Sequence, residues 1–107
     1  MCGAHRELKK LMLWYGHNRR KYHPVVAAAY YHAAFESIHP FRDGNGRVGR
    51  LILNFMLKQS DYPMIDIKYK DRAAYYKAFQ AYDKGDLRPM VRLIAGDLKE
   101  AMKNLES

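Results

Sequence analysis

The sequence predicts an all-α protein, a compact bundle of about five helices in a single domain over residues 1–107. Apolar side chains recur at three- and four-residue spacing along most of the chain. Gly and Pro residues divide these segments and leave only short connections between them. The extended-looking stretch Met64–Ile67 has no obvious partner strand. A chain of this length builds one hydrophobic core but not two.

Composition places the chain among soluble globular proteins. It is 49% hydrophobic and 28% charged, which is an ordinary balance. No apolar stretch approaches the roughly 20 residues that span a bilayer, and the first residues lack the order of a secretory signal. The single Cys2 excludes an internal disulfide and fits a reducing compartment. We therefore expect a cytoplasmic location and no membrane partner.

The net charge of +8 is concentrated at the start of the chain. Residues 1–24 hold six cations and one acid, which contributes +5 of the total. The cations are Arg6, Lys9, Lys10, Arg19, Arg20 and Lys21. Beyond residue 24 the two signs are interspersed, as on a solvated surface. The charge suits a nucleotide or an acidic partner equally well, and it does not by itself favour nucleic acid.

The first helix is expected over about His5–Tyr15, because apolar residues recur there at helical spacing. These residues are Leu8, Leu11, Met12 and Tyr15. The glycine-containing segment 16–18 is predicted to end this helix.

The second helix is predicted over Val25–Ile38, with Pro24 suited to its first turn. It is rich in alanine, apolar nearly all round and slender, so it is expected at the centre of the bundle. His32 on this helix is expected to be a hydrogen-bonded core residue rather than a ligand.

Three further helices follow a motif loop at residues 39–46. They are expected over about Arg47–Gln59, Asp71–Tyr82 and Leu87–Leu105. Tyr62-Pro63 is expected to interrupt helical structure between the first two of these helices, since proline lacks a backbone donor. Asp71 and Asp86 are the candidate N-caps.

The stretch from His39 to Arg50 is the part of the chain that packing does not explain. Its twelve residues read HPFRDGNGRVGR and hold one histidine, one carboxylate, three glycines and three arginines. A glycine-rich turn that opens into a helix presents backbone N–H groups and the positive end of the helix dipole to an anion.

Phosphate binding is the chemistry that this pattern favours. Gly44, Asn45 and Gly46 tolerate positive φ and can form a nest of N–H groups. Arg47 and Arg50 are three residues apart, so they share one side of the helix and can bind phosphate oxygens.

The same stretch offers a metal ligand and a base. Asp43 is a carboxylate placed to hold a Mg²⁺ that bridges phosphates. His39 can take a proton from a hydroxyl at neutral pH. Phe41 is predicted to point into the core and anchor the loop. Each residue alone fits an ordinary turn or a surface position, but their common register before a helix argues against that interpretation.

At these residues the chain resembles the Fic family of nucleotide transferases. The family signature H-x-F-x-(D/E)-G-N-G-R-x-x-R is matched at every specified position from His39 to Arg50. The resemblance extends from about His5 to Leu105. It includes the Tyr62-Pro63 break and the Tyr75-Tyr76 pair. It implies the all-helical Fic core fold.

The resemblance also implies an activity, transfer of AMP from ATP to a Ser, Thr or Tyr hydroxyl of a target protein with release of pyrophosphate. His39 would then activate the hydroxyl and Asp43 would hold Mg²⁺. The ATP-binding residues would be Gly44, Asn45, Gly46, Arg47, Arg50, Tyr75 and Tyr76. Asp83 stands where some relatives carry Asn near the nucleotide.

Two family features are expected to be missing. Family members usually carry a β-hairpin flap before the first core helix, and many carry an inhibitory helix with an S/T-x-x-x-E-G/N motif. Neither is found in the sequence. Either the chain is a fragment or shortened form that lacks them, or a partner supplies them, as a second copy of the chain or a separate inhibitory protein. The alternatives are a core that binds nucleotide or a partner without efficient catalysis, a basic nucleic-acid-binding module, and an enzyme using UTP or CDP-choline.

Overall fold

The computed structural model describes residues 2–67 and 71–106, and that part of the chain contains five helices. They are α1 (Cys2–Asn18), α2 (Pro24–Ile38), α3 (Asn45–Gln59), α4 (Arg72–Asp83) and α5 (Arg88–Glu106). The described residues include no strand, so the predicted all-α class is confirmed. None of the helices described is long and apolar enough to cross a membrane.

Helix ends differ from the predictions where local hydrogen bonds decide them. α1 runs from Cys2 through Asn18, so the predicted stop at residues 16–18 was wrong. The backbone bond from the Arg19 N–H to the Tyr15 carbonyl at 2.9 Å closes its last turn, and Asn18 Nδ2 donates to the Trp14 carbonyl at 2.9 Å. α2 begins at Pro24, and the His23 imidazole caps it by accepting from the Val25 N–H at 3.1 Å.

The last two helices begin one residue later than predicted. Asp71 immediately precedes α4, but its side chain makes no capping hydrogen bond, so the predicted N-cap interaction is not formed. Asp86 does cap α5, because its Oδ1 accepts from the Arg88 N–H at 3.1 Å.

Helix α2 lies at the centre of the bundle. It packs against α1, α3, α4 and α5, which confirms the position predicted from its composition. Ala29 and Ala33 are fully buried, and their small side chains let neighbouring helices approach closely. The junction between α2 and α3 is therefore held between two helices that are firmly packed together.

Large apolar side chains from α2, α3 and α5 fill the core. The largest buried ones are Phe35, Leu53, Leu57, Met90 and Ile94. Met12 and Leu105 were placed on the apolar faces of their helices, but they are 58% and 75% exposed. Both lie near the periphery of the bundle, where no neighbouring helix covers them.

An asparagine on α3 holds the segment that follows this helix. Asn54 Nδ2 donates to the Ile65 carbonyl at 3.0 Å, and Asn54 Oδ1 accepts from the Ile65 N–H at 2.8 Å. The side chain thereby replaces the partner strand that Met64–Ile67 lacks, so the segment follows α3 without forming a sheet.

Candidate functional site

His39 occupies a backbone conformation that is uncommon for a residue with a side chain. It ends α2 at φ 54° and ψ 59°, in the left-handed region, and its N–H donates to the Phe35 carbonyl at 3.1 Å. Its side chain is exposed. Left-handed residues other than glycine cluster at functional sites, where the surrounding structure holds them in place.

The loop after His39 is fastened by Asn45 at the start of α3. The Phe41 N–H donates to Asn45 Oδ1 at 2.9 Å, and Asn45 Nδ2 donates to the Phe41 carbonyl at 2.7 Å. Asn45 is only 4% exposed, so the side chain is fully engaged by the loop. What it offers a ligand is its backbone N–H.

Phe41 was predicted to anchor the loop by burying its ring, and this was wrong. The ring is 43% exposed and lies 6.2 Å from the Phe35 ring at the edge of the core. The anchor is the Phe41 backbone, through its two hydrogen bonds to Asn45.

The glycine-rich turn is shorter than predicted, because α3 begins at Asn45 rather than Arg47. Gly44 is its N-cap and has a positive φ of 75°, whereas Asn45 and Gly46 are helical. The first intrahelical bond runs from the Val48 N–H to the Gly44 carbonyl at 3.0 Å. The three preceding N–H groups therefore have no intrahelical partner and face the loop end of the helix.

Two arginine side chains fold back over this helix start. A Cβ at Gly44 would lie 3.4 Å from Arg47 Nη2, and a Cβ at Gly46 would lie 3.1 Å from Arg50 Nη1. The glycines thus make room for the guanidinium groups beside the free N–H groups. Positive charge and backbone donors are brought together, which is the arrangement that binds anions.

A cavity of about 660 Å³ opens beside the helix start. Four of the predicted site residues line it: Gly46, Arg50, Tyr75 and Tyr76. The other five, His39, Asp43, Gly44, Asn45 and Arg47, lie outside its lining. Asp83 lines the cavity too, and its Oδ1 accepts from Ser37 Oγ at 3.5 Å. Small-molecule sites occupy about 300–1,000 Å³, so this space suits a nucleotide-sized ligand.

The two predicted pocket tyrosines differ in environment. The Tyr75 hydroxyl donates to His32 Nε2, because His32 Nδ1–H already donates to the Gly49 carbonyl at 3.2 Å. Burial raises the pKa of Tyr75. Tyr76 is 56% exposed, with the Arg72 guanidinium 5.7 Å from its ring centroid. Tyr75 is thus fixed in the wall, while Tyr76 presents its ring at the cavity.

His32 is the hydrogen-bonded core residue that the sequence predicted. It is 1% exposed and joins α2 to the Gly49 carbonyl of α3 and the Tyr75 hydroxyl of α4. Burial lowers the pKa of His32 to about 4, despite the opposing effect of the hydrogen bond to Gly49. The imidazole is therefore neutral at physiological pH and acts as a fixed bridge.

Glu36 is a cavity residue that sequence reasoning missed. It lines the cavity together with Arg50, and its Oε1 is buried without a hydrogen-bond partner. Burial raises the pKa of Glu36, while Arg50 and His39 lower it. A usable signal was its position, since Glu36 lies in the last turn of α2, three residues before His39.

A magnesium ion fits the donors that the loop provides. No group of three or more His, Cys, Asp or Glu side chains in the described residues is arranged to hold a metal. Asp43 is exposed beside the helix start and would be the one protein ligand. Magnesium is commonly held by one or two carboxylates together with phosphate and water oxygens, so the donor set is suitable.

Fold and site together define an all-helical protein whose motif occupies the junction of two packed helices. The chain belongs to the Fic/DOC family, whose family model matches residues 3–57. This result confirms the resemblance seen in the motif.

Named relatives and solved structures agree with that assignment. "Protein adenylyltransferase Fic" of Aedes aegypti is 46% identical over 74 residues, which are 69% of this chain. The protein of the same name from Nematostella vectensis is 41% identical over 73 residues. Two structures of Fic-1 from C. elegans superpose with a TM-score of 0.89 at 32% identity over 94% of this chain.

The chain spans only part of each relative. The match covers 15% of the Aedes aegypti protein and 17% of the Nematostella vectensis protein. It covers 31% of the Fic-1 chain. What the whole relatives do therefore comes to this chain as a proposal.

Proposed function

We propose that this protein is a protein adenylyltransferase that transfers AMP from ATP to a hydroxyl side chain of a target protein. The observation that carries the proposal is a cavity of nucleotide size lined by Gly46 and Arg50 of α3, with His39 at the end of α2 on the loop that leads into this helix. The names of the relatives, which are protein adenylyltransferases, support the same chemistry.

In the proposed reaction the target hydroxyl oxygen attacks the α-phosphorus of ATP. A new P–O bond forms to the target, the bond to pyrophosphate breaks, and His39 takes the hydroxyl proton. Arg47, Arg50 and the N–H groups at the start of α3 hold the phosphate oxygens. Tyr76 would pack against the adenine ring of ATP, and Tyr75 forms the cavity wall behind that ring.

Magnesium is part of the proposal, with Asp43 as its protein ligand. When bound, it would neutralise charge that develops on the phosphates. Asp43 belongs to the same loop as His39, and the Asn45–Phe41 hydrogen bonds hold that loop against α3. The same pair of hydrogen bonds would therefore help to position both the Asp43 carboxylate and the His39 imidazole.

The test is incubation of the purified protein with Mg²⁺, a cell extract and ATP labelled on either the α- or the γ-phosphate. Target proteins should take up the α-label and not the γ-label. His39→Ala should lower this labelling by about 100-fold or more, because a general base contributes that much. His17→Ala, an exposed histidine on α1, is the matched control and should label like wild type.

Other outcomes of this experiment would assign the protein a different function. Transfer of the γ-label would contradict AMP transfer and indicate a phosphotransferase. If nothing is labelled, titration calorimetry with ATP and Mg²⁺ identifies a core that binds nucleotide without transferring it. Labelling from UTP or CDP-choline, and not from ATP, would keep the family's chemistry but change the donor.

A further inference from the structure

Glu36 has no role in the proposed reaction, yet it lies in the wall of the same cavity. Its Oε1 is buried without a hydrogen-bond partner, and burial raises the pKa of its carboxyl group. A carboxylate oxygen that is buried without a partner destabilises the fold. Such a group persists when it serves a bound state rather than folding.

The surrounding structure makes room for this carboxylate. A Cβ built on Gly49 would overlap Glu36 Oε1 and would lie 3.3 Å from both Glu36 Cδ and Phe35 Cδ1. Gly49 lies inside α3, where glycine weakens a helix by roughly 0.5–1 kcal/mol relative to alanine. The glycine is therefore explained by the carboxylate that it accommodates.

Arg50 is the cationic side chain that acts most strongly on Glu36. It lowers the pKa of the carboxyl group more than His39 does. Glu36 and Arg50 both line the cavity, and the Arg50 guanidinium lies over Gly46 at the start of α3. A guanidinium has five donors on a planar fork, so one edge can bind a carboxylate while another binds phosphate.

We propose that Glu36 is a positioning residue for Arg50: on nucleotide binding its carboxylate, whose Oε1 otherwise has no partner, accepts from one edge of the guanidinium so that the other edge faces the phosphates. The inference rests on the proposed function, because it takes ATP as the ligand of this cavity. Gly49 belongs to the same device, since any side chain there would displace the carboxylate.

The decisive measurement is ATP binding by titration calorimetry with Mg²⁺, alongside thermal unfolding of each variant. Glu36→Gln should weaken ATP binding about tenfold, the value of one charge-assisted hydrogen bond. Its unfolding temperature should equal or exceed that of wild type, because an unpaired buried charge is removed. A residue that merely supported the fold would instead lower the unfolding temperature.

Gly49→Ala tests the same device from the other side. It should also weaken ATP binding, because the new methyl group displaces the Glu36 carboxylate. In a Glu36→Ala background the methyl group meets no carboxylate, so the double variant should bind ATP no more weakly than Glu36→Ala alone. Gly96→Ala on α5, where a Cβ meets nothing within 4 Å, is the matched control and should bind like wild type.

The outcomes separate this inference from the proposed function. If Glu36→Gln binds ATP as tightly as wild type, or if the effects of Glu36→Ala and Gly49→Ala simply add, the positioning role is overturned while AMP transfer stands. If wild type binds ATP but labels no target, AMP transfer is lost, and the binding constants still decide the role of Glu36. A wild-type protein that binds no ATP overturns both.

Discussion

At His39 the backbone takes left-handed values, φ 54° and ψ 59°, which suit glycine better than any residue with a Cβ. Helices commonly end with glycine in this conformation, so a histidine here sacrifices stability for the position of its imidazole. His39→Gly should therefore be more stable than His39→Ala by about 1 kcal/mol, although both remove the proposed base. Urea unfolding followed by circular dichroism measures the difference.

Ser37 provides the control for this comparison, because it is exposed and lies within α2. There the order should reverse, with Ser37→Ala more stable than Ser37→Gly by roughly 0.5–1 kcal/mol. Equal stability of the two His39 variants would mean that the left-handed backbone carries no strain.

Single residues also show what the sequence could and could not predict. The motif predicted a histidine, a carboxylate and two arginines around one helix start, because residue types and spacing carry that information. It did not predict that Asn45 would turn inward to bind the Phe41 backbone, or that the Phe41 ring would stay exposed. Those orientations depend on how tightly the loop folds against α3.

Among the elements, α3 acts as a support for two segments of the cavity region. Asn45 fastens the loop before it, and Asn54 fastens the segment after it, each by one donated and one accepted hydrogen bond. Asp66 and Ile67, which follow directly after the Asn54 contact at Ile65, line the cavity. The helix thus sets the position of both edges of the site.

Asn54→Ala should remove this support from the second segment. It leaves the N–H and carbonyl of the buried Ile65 without their partner, which costs about 1–3 kcal/mol. Hydrogen exchange at the Ile65 amide should accelerate accordingly. Lys58→Ala, an exposed change on the same helix, should leave that exchange rate as it is. Unchanged exchange in Asn54→Ala would show that the segment is held by other contacts.

Helix number and order were predictable from periodicity, and helix ends were less so. Apolar spacing identifies the buried face over several turns, and all five helices were predicted on that basis. The ends depend on single hydrogen bonds, such as the one from the Arg19 N–H to the Tyr15 carbonyl, which closes the turn of α1 that contains Gly16. Composition alone does not indicate which polar side chain will cap and which will prolong a helix.

For the molecule as a whole, His32, which joins three helices, makes the stability of the fold depend on pH. Its pKa falls from 6.5 in the unfolded chain to about 4 in the fold, so between these values the unfolded state binds the extra proton. The stability that neutral His32 provides is complete above pH 6.5 and is lost as the pH falls toward about 4. This loss amounts to about 3 kcal/mol in the free energy of unfolding.

His32→Gln cannot titrate and should lack this part of the pH dependence. Urea unfolding of both proteins at several pH values between 4 and 7 measures the difference, and carboxyl groups common to both cancel in the comparison. Parallel pH profiles for the two proteins would contradict the assignment of this effect to His32.

The parts of the site that sequence could not predict are those made by contact between helices. The His32–Tyr75 bond joins α2 to α4, and the space for Glu36 is provided by Gly49 of α3. The partners in each contact are separated in the sequence, so no local pattern pairs them. They become a set only when α2 is packed at the centre of the bundle.

The buried Asn45 side chain also affects how readily the protein undergoes deamidation. Asparagine followed by glycine loses its amide readily, because the next backbone nitrogen attacks the side-chain carbonyl to form a cyclic imide. Here Asn45 precedes Gly46, but its backbone is helical and its amide is held by two hydrogen bonds to the Phe41 backbone, which must break before the attack can occur. The fastening that shapes the motif loop therefore protects the motif from chemical decay for as long as the protein stays folded.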